Sequence, residues 1–83
     1  MKITLKLYAS LGAFLPPGAK RNMIDVEVKD GATVGDVLAQ HQVPRENCHL
    51  ILVNGTFAPP ALAGTRKLAD GDALAVWPPV AGG

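Results

Sequence analysis

Few residues in this sequence have the types and spacing that chemistry requires. Cys48 and His49 put a thiol beside an imidazole, the raw material of a nucleophile–base pair. On an extended chain consecutive side chains point to opposite faces, so these two cannot share a proton. Cys48 reads as a small buried thiol, and His41 as a residue at the boundary of a helix stripe. Two histidines and one cysteine make no recognisable zinc spacing. The glycines fall in turns, and none builds a phosphate-binding G-x-x-x-x-G-K-S/T loop. Asp25, Glu27, Asp30 and Asp36 read as a solvated face with turn and cap residues. No enzyme working alone is expected from this set.

Two other features remain. The first is the close of the sequence, Pro78-Pro79-Val80-Ala81-Gly82-Gly83. Each proline fixes φ and removes a backbone donor, so a sheet ladder cannot run through Pro78-Pro79. A Pro-Pro pair favours a stiff extended segment that holds the final residues away from the body. Gly82 and Gly83 lack Cβ, so their backbone can enter a narrow slot and approach another molecule closely. The second feature is a set of aromatics. Strand parity turns Tyr8 away from Leu5 and Leu7, and Trp77 away from Leu74 and Val76. If their strands are neighbours, Tyr8 and Trp77 share an outer face that Phe57 can join. Large exposed aromatics are typical interface anchors.

The elements that must position these groups can be read from periodicity. Residues 2–8 alternate, with Ile3, Leu5 and Leu7 on one face, which predicts a half-buried strand. Residues 9–22 break the alternation around Pro16-Pro17-Gly18, with a short helical turn before Pro16. Residues 23–29 alternate again, with Ile24, Val26 and Val28 inward, so the two runs read as a hairpin with an enlarged loop. Thr33 caps a helix, with Asp36 as its capping-box partner. Val34, Val37, Leu38 and His41 form the core stripe of that helix, and Pro44 ends it. Leu50-Ile51-Leu52-Val53, apolar throughout, predicts a central strand covered on both faces. Asn54-Gly55 predicts a tight turn into a short strand at Phe57. Residues 59–67 are a loop, and Asp70-Gly71-Asp72 turns the chain into a last strand over Ala73–Trp77. The order predicts an α+β fold: a mixed sheet of four to five strands with one main helix across one face. The first and last strands most naturally sit side by side in its middle. Residues 1–77 form the domain and 78–83 an extended tail.

Composition bounds the rest. Eighty-three residues fit one small domain, which buries only about 60–65% of the surface it exposes unfolded. A hydrophobic fraction of 48% argues for one compact core. A net charge of +1 gives no reason to expect nucleic acid or an anionic membrane as partner. No apolar run approaches the ~20 residues of a membrane span. No signal-peptide core opens the sequence, and a single cysteine fits a reducing compartment, so a cytoplasmic location is the default.

The sequence also resembles a known family. Asp70-Gly71-Asp72, the strand Ala73–Trp77 and the close Pro78-Pro79-Val80-Ala81-Gly82-Gly83 resemble the MoaD/ThiS family of ubiquitin-like sulfur carriers. Within that family the resemblance is greatest to the small, sulfur-carrying subunits of molybdopterin synthase. Gly31-Ala32-Thr33-Val34 and Leu52-Val53-Asn54-Gly55 extend it along the chain. The resemblance implies a β-grasp fold and a protein that serves as co-substrate, not as catalyst. It implies that an adenylating enzyme of the ubiquitin-activating kind uses ATP to turn the Gly83 carboxylate into an acyl-adenylate. Sulfur from a persulfide donor then leaves a thiocarboxylate there, and Gly82 gives the narrow approach. No cofactor is implied for the chain itself. The implied partners are that adenylating enzyme, the sulfur donor and the large catalytic subunit of molybdopterin synthase or an equivalent acceptor. The family's partner-facing patch maps onto Tyr8, Phe57 and Trp77, with Pro78, Pro79 and Val80 leading from it. Three alternatives share much of this logic: a carrier for thiamine thiazole or another pathway, a non-covalent interaction module, and a modifier joined through Gly83 to other proteins.

Overall fold

The structure is a computed structural model that describes residues 1–79. Five strands and one α-helix make the frame: β1 (Lys2–Leu7), β2 (Met23–Glu27), α1 (Val34–Gln40), β3 (Leu50–Val53), β4 (Thr56–Phe57) and β5 (Ala73–Trp77). Short 3-10 turns occupy Ala9–Phe14, Arg45–Asn47 and Pro60–Leu62. The strands lie in the order β2-β1-β5-β3-β4. β1 pairs antiparallel with β2 and parallel with β5, and β3 pairs antiparallel with both β5 and β4. The parallel β1–β5 pair lies inside the sheet, the adjacency expected of the first and last strands. No helix among the described residues is long and apolar enough to cross a membrane.

One face of this sheet carries the core. Ile3, Leu5 and Leu7 from β1, Ile51 and Val53 from β3, and Leu74 and Val76 from β5 are almost wholly buried. Val34, Val37 and Leu38 of α1 meet them from above. Each such side chain stabilises the fold by about 1.5–3 kcal/mol relative to leaving it in water. Leu11, from the turn after β1, closes one end of the same cluster.

The helix is fastened mainly at its start. Thr33 Oγ1 accepts the Asp36 amide at 3.1 Å, and the Asp36 carboxylate accepts the Thr33 amide at 3.0 Å. This is the capping box that the sequence predicts. The next two exposed donors go to the 59–67 loop: the Val34 amide bonds Arg66 O and the Gly35 amide bonds Ala63 O, both at 2.8 Å. The loop is therefore a strap across the helix N-terminus, meeting donors that no helical residue can reach. At the other end α1 stops at Gln40, before Pro44 acts. Gln42 adopts a positive φ of 59° and reverses the chain.

Two turns hold the strand ends in register. Asn54 and Gly55 have φ of 52° and 81°, the pair of left-handed residues that a two-residue hairpin needs between β3 and β4. The Asn54 side chain then donates to Asp72 Oδ1 and accepts the Ala73 amide, both at 2.8 Å, tying this turn to the start of β5. Asp72 Oδ2 accepts the Ala69 amide, and that backbone bond, together with Asn54, holds its carboxyl below the usual range.

One sequence expectation is corrected. β3 is not covered on both faces: Ile51 and Val53 are buried, while Leu50 and Leu52 are only half-buried on the side away from α1. The run is apolar throughout because its second face belongs to an open apolar surface, and no second layer of described residues lies over it.

Candidate functional site

The face of the sheet opposite α1 can be built row by row from the strand register. Leu50 stands opposite Trp77, and Tyr8 follows β1 immediately beside the end of β5, its amide bonded to Val76 O at 3.1 Å. The Tyr8 and Trp77 rings stack with centroids 4.5 Å apart and planes 11° from parallel. Such a pair adds about 0.5–1.5 kcal/mol to the burial of its area and fixes both rings. One row on, register places Phe57, Leu52, Ala75, Lys6 and Met23 side by side across all five strands. Phe57 is 56% exposed and Met23 38% exposed. The third row is polar, and the Thr4 hydroxyl donates to Asp25 Oδ1 at 2.8 Å.

The expected aromatic trio is thus partly a cluster. Tyr8 and Trp77 touch, and Phe57 shares their face across the leucines of β3. Leu50, Leu52 and Met23 complete the apolar surface, and sequence reasoning did not select them. The run Leu50–Val53 held the signal: two of its four side chains must face away from the core. Pro78 follows Trp77 half-buried and Pro79 is exposed, so the chain leaves the sheet at the stacked pair. Val80, Gly82 and Gly83 lie outside the described residues.

The groups excluded as chemistry stay separate. Cys48 is buried, its Sγ donating to Pro44 O at 3.4 Å, and burial pushes the thiol up from its usual value. His49 is exposed on the other side of the chain. A shallow groove beside Lys2, Thr4, Asp25, Asp70 and Gly71 is lined by groups that already pair, since Asp70 accepts the Lys2 amide at 2.8 Å and Asp25 the Thr4 hydroxyl. The built feature is the open face with an aromatic stack at the root of the Pro-Pro segment.

The family model described as Mut7-C ubiquitin matches residues 1–82. The chain belongs to this ubiquitin family. Its fold is the β-grasp of MoaD/ThiS-type proteins. The solution structure of the HVO 2177 protein of Haloferax volcanii is similar at 32% identity and a TM-score of 0.74, over 100% of this chain and 87% of that one. The crystal structure of SAMP1, small archaeal modifier protein 1, from the same organism is similar at 29% identity and a TM-score of 0.67, over 100% of both chains. A Helicobacter pylori complex of subunits 1 and 2 of the molybdopterin-converting factor matches at 19% identity and a TM-score of 0.61, over 100% of both chains, and shows the fold alone. Among curated proteins nothing matches.

Proposed function

We propose that this ubiquitin-like chain is a sulfur carrier, docked through its open sheet face and activated at the carboxylate of Gly83. The observation that carries the reading is the position of the Tyr8–Trp77 stack. A rigid apolar anchor sits where the chain enters Pro78-Pro79, so a partner gripping the face has the Gly82-Gly83 end within a few residues' reach. Binding energy gathered on the face serves to position a reacting group elsewhere. The globular part brings no catalytic pair of its own, which suits a co-substrate.

The chemistry is set by the electrophile. A carboxylate resists attack because resonance spreads its charge. Adenylation at the expense of ATP gives an acyl group with AMP as a good leaving group. Persulfide sulfur attacks that carbonyl and AMP departs, leaving an acyl disulfide to the donor. A second thiol of the donor system then attacks the donor-side sulfur, forming a disulfide and releasing the thiocarboxylate on Gly83 for delivery to an acceptor. A molybdopterin precursor is the acceptor we favour, on the Pro-Pro close shared with that branch of the MoaD/ThiS family. The partners are then an adenylating enzyme, a sulfur donor and a large acceptor subunit. The Helicobacter pylori protein of this fold, solved with a second subunit, supports a paired acceptor.

A second reading has its own support. The 29% likeness to a small archaeal modifier over both full lengths favours a protein modifier joined through Gly83 to lysines. Both readings pass through the same acyl-adenylate and diverge afterwards. Intact-mass analysis of the chain, co-expressed with its adenylating enzyme and a sulfur source, separates them. Exchange of one terminal oxygen for sulfur is the expected result, and Gly83 deletion abolishes it. An isopeptide adduct would establish the modifier instead. A mature protein whose mass shows residues beyond Gly83 would sink both.

A further inference from the structure

Lys6 is a cation that nothing among the described residues neutralises, set in the middle of the apolar face. Register puts it between Ala75 of β5 and Met23 of β2, in the row that also holds Leu52 and Phe57. Lys6 is half-buried, as a lysine is when its aliphatic stem lies along apolar surface and its ammonium stays in water. The ion pairs among the described residues join the Met1 amine to Glu27 and Asp30, and Lys29 to Asp36; Lys6 is in none of them. The nearest acid by register is Asp25, on the neighbouring row, and its carboxylate is engaged by the Thr4 hydroxyl.

A charge in this position has a clear consequence for docking. A partner that covers Trp77, Leu52 and Phe57 also covers the row to which Lys6 belongs. Desolvating an unpaired ammonium costs far more than a surface pair returns. An apolar partner surface would therefore be repelled where its footprint reaches β1. A surface that brings a carboxylate to this point would be attracted, and its orientation fixed, because the charge lies one row along the sheet from the aromatic stack, on the strand that Tyr8 follows.

Resting on the docking role proposed above, we infer that the partner presents an apolar surface with one carboxylate aimed at Lys6, and that Lys6 sets partner choice and orientation. The Tyr8–Trp77 stack anchors the complex and Lys6 tells acidic partners from the rest.

The test uses the full chain, with the source organism's own ubiquitin-activating-type adenylating enzyme as probe, and measures Kd at low and high salt. Trp77→Ala, the variant that reports the face itself, should weaken binding roughly tenfold or more. Lys6→Met keeps the stem and removes the charge. It should weaken binding several-fold and flatten the salt dependence. Lys6→Glu should weaken it at least as much as Trp77→Ala, with melting temperatures confirming that both Lys6 variants fold. If Trp77→Ala weakens binding while both Lys6 variants bind as the parent does, the inference about Lys6 is overturned and the docking face stands. If Trp77→Ala binds as the parent does, or the parent does not bind at all, the face fails and the inference with it.

Discussion

His41 caps the C-terminal end of α1, half-buried, with Nε2 turned out of water and meeting no partner. Burial alone lowers its pKa from the usual 6.5. A depressed histidine means that the folded state prefers the neutral ring. Its contribution to stability is complete above the unfolded value and is lost as pH falls below it. The melting temperature should therefore drop as pH falls below the usual 6.5, and the drop should shrink in His41→Leu, which cannot take up a proton. Equal drops in the two proteins would show that the titrating group lies elsewhere. Asn54 offers a second residue-scale test, because its left-handed φ and its side-chain bonds can be separated. Asn54→Gly keeps the turn and loses two hydrogen bonds at about 0.5–1.5 kcal/mol each. Asn54→Ala loses the bonds and adds about 1–2 kcal/mol of backbone strain. Urea melts should rank parent, Asn54→Gly and Asn54→Ala in that order; a glycine variant no more stable than the alanine one would rule out the strain component.

α1 has seven residues, too short to hold together in isolation. Its stability is borrowed from the sheet beneath and the 59–67 strap across its start. Gly35 is where strap and helix touch most closely: a Cβ there would lie 3.3 Å from Ala63 O and Gly64 Cα and 2.8 Å from Arg45 Nη1. The arginine can swing aside, but the strap backbone cannot move without lengthening the Gly35–Ala63 bond. Gly35→Val should thus destabilise by about 1–3 kcal/mol, although a glycine inside a helix is ordinarily worth replacing. A urea midpoint equal to the parent's would mean that the strap yields freely. These two elements also mark what a sequence discloses. The capping box and stripe of α1 were legible because Thr33, Asp36 and the apolar spacing act locally. The strap was not, because residues 59–67 carry no periodicity and the meaning of Gly35 depends on a carbonyl 28 positions away. The same holds for β3. Its apolar run permits a strand covered on both faces or one with an open apolar side, and only the pairing order decides between them.

At the scale of the whole molecule, the core and the proposed docking surface lie on opposite faces of one sheet. The α1 face holds the fold together, with its largest side chains almost wholly buried, and the other face, which the core does not need, is the one proposed to dock a partner. Tyr8 and Trp77 were legible as outward residues from alternation, and as a pair only through the expected adjacency of β1 and β5. Lys6 and Met23 carried no signal until register put them in a row with Leu52 and Phe57. This division predicts that stability and activity can be separated at the end of β5. Every hydrogen bond and buried side chain of the described body involves residues up to Trp77, including the His49 amide to Trp77 O at 2.9 Å. A chain cut after Pro79 should keep the parent's melting temperature and still bind the adenylating enzyme through its face, yet accept no sulfur. Loss of sulfur transfer alone is the result that makes the body a handle. A lowered melting temperature would instead assign residues 80–83 a part in the fold, and undiminished transfer would place the reactive group somewhere other than Gly83.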